Sequence, residues 1–553
     1  MKFSDKILSQ TITQLCLAKG IDHIVISPGS RNAPLTIGFT ENNLFKNFSV
    51  VDERCAAFFA MGLAQQIQKP VALVCTSGSA LLNYYPAVAE AFYSDIPLVV
   101  ISADRPEAFL EIGDGQTINQ MDVFANHILY SASCKNKDEE QIFNETEINI
   151  ALNTAIELNG PVHINVPFAE PLYNKVEELY VTPQNVPARI FNAEDEDFSK
   201  LFEAWQKCQK KMILVGVLKP NSVEATIVDY FTKDPSVIIL TETTSNLHHK
   251  RSFESIDQLI APFTETDYKE LQPEILLTFG GMVVSKKIKA FLRNFPPKEH
   301  WHVDPKKAYD TYFSLTETIK CKPEYFLELL RKNTNTVESL YYRKFENIRK
   351  HRLVMHKKYL EEIPFSDFKV FELILKNLPK SIQLQLSNSA TIRYSQLFDL
   401  DNSWEVFCNR GTSGIDGSTS TAIGAALHHK LPTVLITGDL SFLYDSNALW
   451  NNYIRNDFKI IIINNSGGGI FKILPGADDS ENFSTFFETK HDLNAKHLAK
   501  MYGFGYTSAD SEESLSKSLS SFFEENVQPQ ILEIFTPSEI NGEILLDYFK
   551  YIK

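Results

Sequence analysis

Residues 438–468 read GDLSFLYDSNALWNNYIRNDFKIIIINNSGG. This stretch begins at the end of one apolar run of strand length and contains a second such run. The first run ends at Gly438 and Asp439, and the second ends at Asn464 and Asn465. Continuous apolar runs separated by a helix-length segment are typical of parallel strands that are buried on both faces. Because ligands of open α/β sheets bind outside the carboxyl ends of the strands, these polar residues predict a ligand site at that edge.

The same alternation of strand-like and helix-like segments extends along all 553 residues. Short β-branched runs, each followed by Gly or Ser, lie at 24–26, 71–75, 98–102, 212–217, 237–240, 275–279, 433–437 and 460–463. Two charged stretches, at 174–196 and 333–365, interrupt the pattern, and the second is predicted to be an exposed helix that bridges domains. We therefore predict an α/β protein with parallel sheets flanked by helices, in three domains over residues 1–175, 190–335 and 365–553.

The first and third predicted domains echo each other. Gly62 lies eight residues before Pro70 and the strand VALVC, and Gly424 lies eight residues before Pro432 and the strand TVLIT. In both domains the strand leads into a glycine-containing turn, a helix-like segment and a second apolar strand. The ordered series predicts two domains of one topology. The alternative is two unrelated α/β units with common turn chemistry.

Charge and cysteine content exclude several classes of protein. The formal net charge is −15 and no long basic run occurs, which argues against nucleic acid or an anionic membrane as the main partner. Seven cysteines are scattered singly without a CxxC pair, as expected in a reducing compartment. The N-terminal segment lacks the apolar window of a signal peptide, and the longest apolar runs are too short to span a bilayer. A cytoplasmic protein without stable membrane insertion is predicted.

The polar strand ends offer hard oxygen donors of the kind that Mg²⁺ prefers. These donors are the carboxylate of Asp439, the amide oxygen of Asn465 and a backbone carbonyl nearby. Mg²⁺ commonly completes its coordination with phosphate oxygens, so a diphosphate ligand is expected. The stretch resembles the thiamine diphosphate signature, GDG followed at a distance by NN, with Leu440 at the third position. The alternative is a capped helix start at Asp439 and a turn after Asn465.

A second candidate is Glu53 in DERCAAFFAMGLA, a carboxyl group at a predicted strand end that begins a helix of small residues. Thiamine catalysis requires a carboxyl group bonded to N1′ of the aminopyrimidine ring. That bond favours the imino tautomer, which removes the proton from thiazolium C2. The alternative is an ordinary helix N-terminal carboxylate stabilised by the helix dipole. The presence of the metal motif elsewhere in the chain favours the catalytic interpretation.

A third group consists of cationic and hydroxyl side chains at predicted strand and helix ends. Its members are Ser30 and Arg31 in SPGSRNAP, Arg105 in ADRP, Arg410 in NRGTSGIDG, and Ser389 with Arg393 one helical turn later. Any one of these arginines could form a structural ion pair instead. Several such sites in an acidic protein predict a focused positive pocket that binds carboxylates.

Seven motifs together carry a family resemblance: SPGSRNAPL, DERCAAFFAMGLA, TSGSALLNYYPAVAEA, ADRPEAF, HINVPFAEPLY, NRGTSGIDGSTSTAIGAA and GDLSFLYDSNAL. The chain resembles the 2-succinyl-5-enolpyruvyl-6-hydroxy-3-cyclohexene-1-carboxylate synthases of menaquinone biosynthesis, a thiamine-diphosphate-dependent family in which Leu440 is the usual residue. The resemblance covers nearly the whole chain and is weakest in the middle domain. It implies a pyrimidine-binding domain, a central Rossmann-like domain and a diphosphate- and Mg-binding domain. It also implies a homodimer or dimer of dimers with active sites between subunits.

The resemblance assigns a role to each matching residue. Glu53 would activate the cofactor, with Arg393 and Arg410 as further catalytic residues. Mg²⁺, with Mn²⁺ as a possible substitute, would be held by Asp439, Asn465 and the carbonyl of Gly467. Cofactor contacts would come from Glu53, Ile415, Gly438, Leu440, Ser441 and Asn465, with Ile415 as the apolar wedge that keeps the cofactor bent. The substrate residues would be Ser30, Arg31, Arg105, Gln116, Lys286, Ser389, Arg393 and Arg410, with Ile470, Phe471 and Leu474 as an apolar wall.

Two neighbours of these residues depart from the pattern of some members. Gly115 stands where some family members have Asn, so one side-chain hydrogen-bond donor is lost. Lys287 stands where some family members have Arg, so a bidentate contact with a carboxylate would become a contact with a single point charge.

The implied reaction is the decarboxylation of 2-oxoglutarate followed by 1,4-addition of the succinyl carbanion equivalent to isochorismate. The enzyme would be a transferase that forms a C–C bond and releases CO₂. The nearest alternative is a pyruvate-using thiamine enzyme of the acetolactate synthase or decarboxylase type, which would need fewer cations. A catalytically silent homologue acting as a binding module is a further alternative, and the intact Glu53, Asp439 and Asn465 speak against it. A dinucleotide-dependent dehydrogenase is disfavoured because no GxGxxG follows a strand.

Overall fold

The computed structural model describes residues 2–189, 196–473 and 480–553. These residues form three parallel sheets that follow one another along the chain, each flanked by helices, and the predicted α/β class is confirmed. Among the described residues, no helix combines the length and the apolar character needed to cross a membrane.

The first sheet belongs to the N-terminal region. Its strands and the small pair beside it are β1 (Phe3–Ser4), β2 (His23–Ile26), β3 (Lys46–Ser49), β4 (Val71–Cys75), β5 (Leu98–Asp104), β6 (Ser131–Ser133), β7 (Val162–Pro167) and β8 (Lys175–Val176). The helices of this region are α1 (Ile7–Ala18), α2 (Ala33–Thr40), α3 (Glu53–Ile67), α4 (Ala80–Asn83), α5 (Tyr85–Ser94) and α6 (Gln141–Leu158). Six strands form a parallel sheet in the order β3-β2-β4-β5-β7-β6, and β1 pairs antiparallel with β8.

The central region has a five-stranded parallel sheet. Its strands are β9 (Lys211–Val215), β10 (Val237–Leu240), β11 (Ile275–Phe279), β12 (Glu299–Val303) and β13 (Leu315–Ile319). Its helices are α7 (Ser199–Lys207), α8 (Ala225–Lys233), α9 (Ile256–Ile260), α10 (Glu265–Leu271), α11 (Lys286–Asn294), α12 (Pro323–Asn333) and α13 (Tyr341–Glu362). The order β10-β9-β11-β12-β13, which is 2-1-3-4-5 within this sheet, is the flavodoxin-like variant of the doubly wound Rossmann-type sheet.

The third sheet repeats the first. Its strands are β14 (Gln383–Leu386), β15 (Glu405–Phe407), β16 (Thr433–Gly438), β17 (Lys459–Asn464), β18 (Gly505–Ala509) and β19 (Gln530–Phe535). Its helices are α14 (Asp367–Asn377), α15 (Ala390–Ser395), α16 (Ser418–His428), α17 (Asp439–Tyr444), α18 (Glu481–Phe483), α19 (Lys496–Met501), α20 (Glu512–Phe522) and α21 (Asn541–Tyr551). The order β15-β14-β16-β17-β19-β18 matches the first sheet strand for strand, so the prediction of one repeated topology is confirmed.

The glycines that suggested the repeat lie where the two related domains meet. Helices α3 and α16 cross in direct backbone contact. A Cβ atom on Gly62 would lie 2.0 Å from the carbonyl oxygen of Thr421, and one on Gly424 would lie 2.0 Å from that of Phe59. Only glycine permits this approach, because any side chain would overlap the opposite backbone. The sequence echo therefore has a packing cause.

Helix α13 is present as predicted, but the prediction that this helix is exposed is wrong, because both of its ends are partly buried. Tyr341 and Phe345 near its start are buried in the core of the central domain, and Tyr359 and Leu360 near its end are buried in that of the third domain. The apolar residues were hard to recognise in the sequence because many Lys and Arg residues lie between them. The helix joins two domains by contributing to both cores.

Candidate active site

Asp439 begins helix α17 directly after β16, at the carboxyl edge of the third sheet. Its Oδ1 accepts a hydrogen bond from the backbone N–H of Leu440 at 2.7 Å, and its Oδ2 accepts one from that of Gly467 at 2.9 Å. His491 Nε2 lies 3.2 Å from Oδ2. Burial raises the pKa of Asp439, and a bound cation would favour its ionised form. The two predicted strand ends are therefore joined through this carboxylate.

Asn465 has an amide oxygen suited to a metal. Its Oδ1 atom is buried and has no hydrogen-bond partner among the described residues, while its Nδ2 donates to Asp367 at 2.8 Å. A buried acceptor without a donor is rare in folded proteins and costs free energy unless a ligand satisfies it. Within the described residues, no three His, Cys, Asp or Glu side chains form a metal cluster. A metal here would depend on the carboxylate of Asp439, this amide oxygen and a backbone carbonyl, as predicted.

Two glycines lie next to these candidate ligands, one in close backbone contact and one beside open space. Gly467 has φ +144°, and a Cβ atom there would lie 2.5 Å from the carbonyl oxygen of Glu488, so only glycine fits. Around Gly438 a Cβ atom would meet nothing within 4 Å, which leaves open space at the end of β16. The donor set and this space fit a cation with a diphosphate group.

The predicted cofactor residues Ile415 and Ser441 are joined directly. The hydroxyl of Ser441 donates to the carbonyl oxygen of Ile415 at 2.6 Å. The side chain of Ile415 stays 37% exposed, which is unusual for isoleucine and is consistent with a ligand-facing role. Leu440 is half-buried beside them.

Glu53 is the first residue of α3, and Asp52 is its N-cap, accepting from the N–H of Cys55 at 3.1 Å. The cap is therefore Asp52, and Glu53 occupies the first turn, a position that the helix-dipole alternative also predicts. The half-buried Glu53 carboxyl forms no hydrogen bond or ion pair with another described residue. Burial raises the pKa of Glu53, which favours a protonated carboxyl able to share a proton with a ring nitrogen.

The predicted substrate residues of the first domain gather at the carboxyl edge of its sheet. Arg31 is buried and donates to the Phe168 carbonyl at 3.0 Å and to Glu170 at 3.2 Å. Arg105 follows β5 and pairs with Asp114 at 3.2 Å.

The other two first-domain residues, Ser30 and Gln116, are exposed. The backbone of Gln116 lies against Gly78, where a Cβ atom would be 3.3 Å from the Gln116 carbonyl oxygen. Gly115 has open space around it, so packing does not require glycine at that position.

Arg393 and Arg410 lie near each other at the edge of the third sheet. Arg410 Nη1 donates to Asn388 Oδ1 at 2.6 Å, and Asn388 in turn binds the Gly414 carbonyl. Burial lowers the pKa of Arg393, Asp257 opposes that shift, and the charge of Arg410 adds to it. The Nε atoms of both arginines, like that of Arg105, are buried without a hydrogen-bond partner among the described residues. Ser389, at the N-cap of α15, has φ +66° and is half-buried.

The three lysines at the start of α11 differ in their surroundings. Lys286 is exposed at the first position of the helix, and Lys287 lies 4.4 Å from the ring centre of Phe549. Burial lowers the pKa of Lys289, and the charges of Arg393 and Arg410 act on it in the same direction. Lys289 was missed by the motif comparison, although its i+3 spacing from Lys286 placed it on the same helix face.

The predicted apolar wall is only partly described. Ile470 and Phe471 are half-buried in a 3₁₀ turn at Gly469–Ile473, with the Phe471 ring 6.2 Å from that of Phe487. Leu474 lies outside the described residues.

Glu90 on α5 is a second residue that the sequence analysis missed. Its buried carboxylate accepts hydrogen bonds from the backbone N–H groups of Gly411 and Thr412, both at 2.6 Å, and from the Thr412 hydroxyl at 2.8 Å. It therefore fixes the loop that carries Arg410 and Ile415. A buried glutamate in an otherwise apolar helix, YPAVAEAFYS, was the available signal.

We expect Glu90→Ala to raise KM for a substrate of the predicted carboxylate-binding pocket by about tenfold, because hydrogen bonds to a charged group contribute about 1.5–3 kcal/mol each. Steady-state kinetics would measure the change. Ser94→Ala is the matched control, since it removes only the 2.8 Å bond from Ser94 to Glu90 and leaves the loop contacts in place. Equal KM values for the two variants would contradict the positioning role.

Family models match three parts of the chain. They are described as "Thiamine pyrophosphate enzyme, N-terminal TPP binding domain" over residues 7–125, "Middle domain of thiamine pyrophosphate" over 191–386 and "Thiamine pyrophosphate enzyme, C-terminal TPP binding domain" over 389–534. Among solved structures, benzoylformate decarboxylase from Polynucleobacter necessarius matches with a TM-score of 0.70 and 14% identity, covering 97% of this chain and 99% of that one. That likeness shows the fold.

Similar proteins named 2-succinyl-5-enolpyruvyl-6-hydroxy-3-cyclohexene-1-carboxylate synthase occur in several bacteria. The one from Flavobacterium johnsoniae is 55% identical over 550 residues, 98% of each chain. The one from Christiangramia forsetii is 52% identical over the full length of both chains. The one from Porphyromonas gingivalis is 36% identical and covers 100% of this chain and 98% of its own.

Proposed function

Because the chain belongs to the family of 2-succinyl-5-enolpyruvyl-6-hydroxy-3-cyclohexene-1-carboxylate synthases, we propose a role for each of its site residues in the synthase reaction. The enzyme is a thiamine-diphosphate-dependent transferase of menaquinone biosynthesis that forms a C–C bond. The bond between C1 and C2 of 2-oxoglutarate breaks, CO₂ leaves, and the succinyl unit forms a new bond to isochorismate by 1,4-addition. The acetolactate-synthase-like and catalytically silent alternatives are disfavoured by this membership.

The proposed metal is Mg²⁺, with Mn²⁺ as a substitute, held by Asp439, Asn465 and the Gly467 carbonyl. The unpaired buried Oδ1 of Asn465, the ionisable Asp439 and the open space at Gly438 support this assignment. When bound, thiamine diphosphate supplies a thiazolium ring that accepts the electrons left by CO₂. Glu53 would hold the proton shared with the aminopyrimidine ring, and Ile415 would support the bent form of the cofactor.

Both substrates are dianions, so the site must neutralise several carboxylates. The observation that carries the substrate assignment is that Arg393 and Arg410 lie close enough for their charges to interact, and that both, like Arg105, keep a buried Nε–H without a partner among the described residues. Such donors are costly unless an anion binds them. We propose that these arginines hold the substrate carboxylates, together with Ser30, Arg31, Gln116, Lys286 and Ser389. Apolar contacts from Ile470, Phe471 and Leu474 would exclude water, which would otherwise protonate the carbanion.

We propose a homodimer or dimer of dimers with active sites between subunits. In one chain, Asp52 and Arg54, which flank Glu53, contact Asn447 and the Tyr444 carbonyl, next to the C-terminal end of α17. Asp439 lies at the opposite end of this helix. Three exposed apolar side chains surround the junction and are available to a second copy: Val51, Tyr444 and Trp450. A cytoplasmic location is proposed as well, in keeping with seven free, buried cysteines.

We expect CO₂ release from 2-oxoglutarate with little from pyruvate, and a C–C bonded product only when isochorismate is present. Arg393→Ala and Arg410→Ala should each raise KM about 10- to 100-fold, since charge-assisted contacts contribute about 1.5–3 kcal/mol. Cofactor affinity should change little. Arg343→Ala, at an exposed position on α13, is the control. Equal turnover of pyruvate and 2-oxoglutarate, or no product by mass spectrometry with isochorismate, would refute the substrate assignment.

A further inference from the structure

We propose that Asp367 is a positioning residue that orients the side-chain amide of Asn465, so that its oxygen faces the cation site. The inference rests on the proposed metal function of Asn465 and extends it to a residue 98 positions away in sequence. Asp367 begins helix α14 and comes from neither of the strands that carry the metal ligands.

The two ends of the Asn465 amide have different surroundings. Nδ2 donates to Asp367 Oδ2 at 2.8 Å, whereas Oδ1 is buried and has no partner among the described residues. An amide group is nearly symmetric in shape, so packing alone cannot distinguish its two orientations. Both oxygens of Asp367 accept hydrogen bonds, one from Thr536 and one from Asn465, and this acceptor role holds the amide nitrogen toward Asp367. The oxygen is then the buried, unpaired end of the amide, a donor atom of the kind that a cation needs.

Asp367 is itself held in place from two directions. Its Oδ1 accepts from the Thr536 hydroxyl at 2.6 Å, and its backbone N–H donates to Asn541 Oδ1 at 2.9 Å. The residue is only 3% exposed. A carboxylate fixed in this way can direct a neighbouring amide without moving, as outer partners of metal ligands commonly do.

A simpler role as a helix cap does not account for these contacts. The N-cap of α14 is Ser366, whose side chain accepts from the N–H of Lys369. Both carboxylate oxygens of Asp367 instead face away from the helix, toward Thr536 and Asn465.

The test uses Mn²⁺ as a paramagnetic probe of the full-length protein with thiamine diphosphate present. We expect Asp367→Ala to weaken Mn²⁺ affinity, measured by electron paramagnetic resonance, by about 10- to 100-fold. Asp234→Ala is the matched control, because Asp234 is also buried and pairs with Lys211 at 3.1 Å in the central domain. It should lower thermal stability and leave Mn²⁺ affinity unchanged. Unchanged affinity in Asp367→Ala, or an equal loss in the control, would overturn the inference.

A reversed pair keeps the test informative if Asp367→Ala fails to fold. Asn465→Asp alone places two carboxylates against each other and should weaken Mn²⁺ binding. The double variant Asn465→Asp with Asp367→Asn restores one donor and one acceptor, so Mn²⁺ affinity should recover at least tenfold relative to the single variant. A double variant that binds no better than the single one contradicts the positioning role. Asp439→Ala tests the metal site independently of the positioning role of Asp367. If Asp439→Ala binds Mn²⁺ like the wild type, the proposed metal site itself is wrong.

Discussion

Glu53→Gln should lower the rate of product formation by 10²-fold or more, while leaving the fold and cofactor affinity intact. A positioned group in proton transfer contributes roughly 10²–10⁴-fold, and glutamine keeps the shape of glutamate without its acidic carboxyl proton. Single-turnover measurements of product formation with bound cofactor would isolate this step. Helix α3 should be unaffected, because its cap is Asp52.

Glu512→Gln is the control for this experiment. Glu512 is likewise the first helical residue after a capping side chain, Ser511, but it is exposed on α20. Because burial raises the pKa of Glu53, its ionised form is less favourable in the folded state than in the unfolded state. Stability is therefore fully present below the unfolded pKa of this group and is lost as pH rises through its higher folded pKa, so Glu53→Gln should unfold at no lower temperature than the wild type at neutral pH. Near wild-type turnover in Glu53→Gln would remove the residue from the mechanism.

Asp439→Ala should weaken thiamine diphosphate binding by about 100-fold or more at fixed Mg²⁺, and activity should require much higher Mg²⁺. Substitutions of residues that only support a metal ligand cost about 10- to 100-fold, so losing the charged ligand itself should reach at least the upper end of that range. The variant also frees the backbone N–H of Gly467, which Asp439 holds at 2.9 Å. Isothermal titration calorimetry would measure the affinity directly.

Asp492→Ala is the matched control for the metal experiment, since Asp492 is exposed in the segment that carries His491. Its cofactor affinity should equal that of the wild type. If Asp439→Ala kept its cofactor affinity, the diphosphate would have to be anchored elsewhere.

Much of the fold could be predicted because its causes are local. Apolar runs and turn residues indicated the parallel strands, and the matched positions of Gly62 and Gly424 indicated the repeated topology. The long helix at 341–362 was predicted correctly as a helix, but its buried stripe was not recognised among charged residues. Periodicity measured over a whole segment is diluted when only a few positions at each end enter a core.

Some residues of the candidate active site could also be predicted from sequence, and others could not. The sequence alone determined that Asp439 and Asn465 lie at one edge of the sheet, since they follow neighbouring parallel strands, and their metal-binding role stays a prediction. Motif resemblance supplied Glu53 and the arginines, whose individual roles stay predictions.

Only the tertiary structure decided that Glu90 holds the loop of Arg410 and that Asp367 faces Asn465. These pairs are 321 and 98 residues apart, measured from Glu90 to Gly411 and from Asp367 to Asn465. A local pattern shows which residues are polar and where strands end. The partner of a buried polar group depends on how separate helices and sheets pack, and that packing is fixed by the chain as a whole.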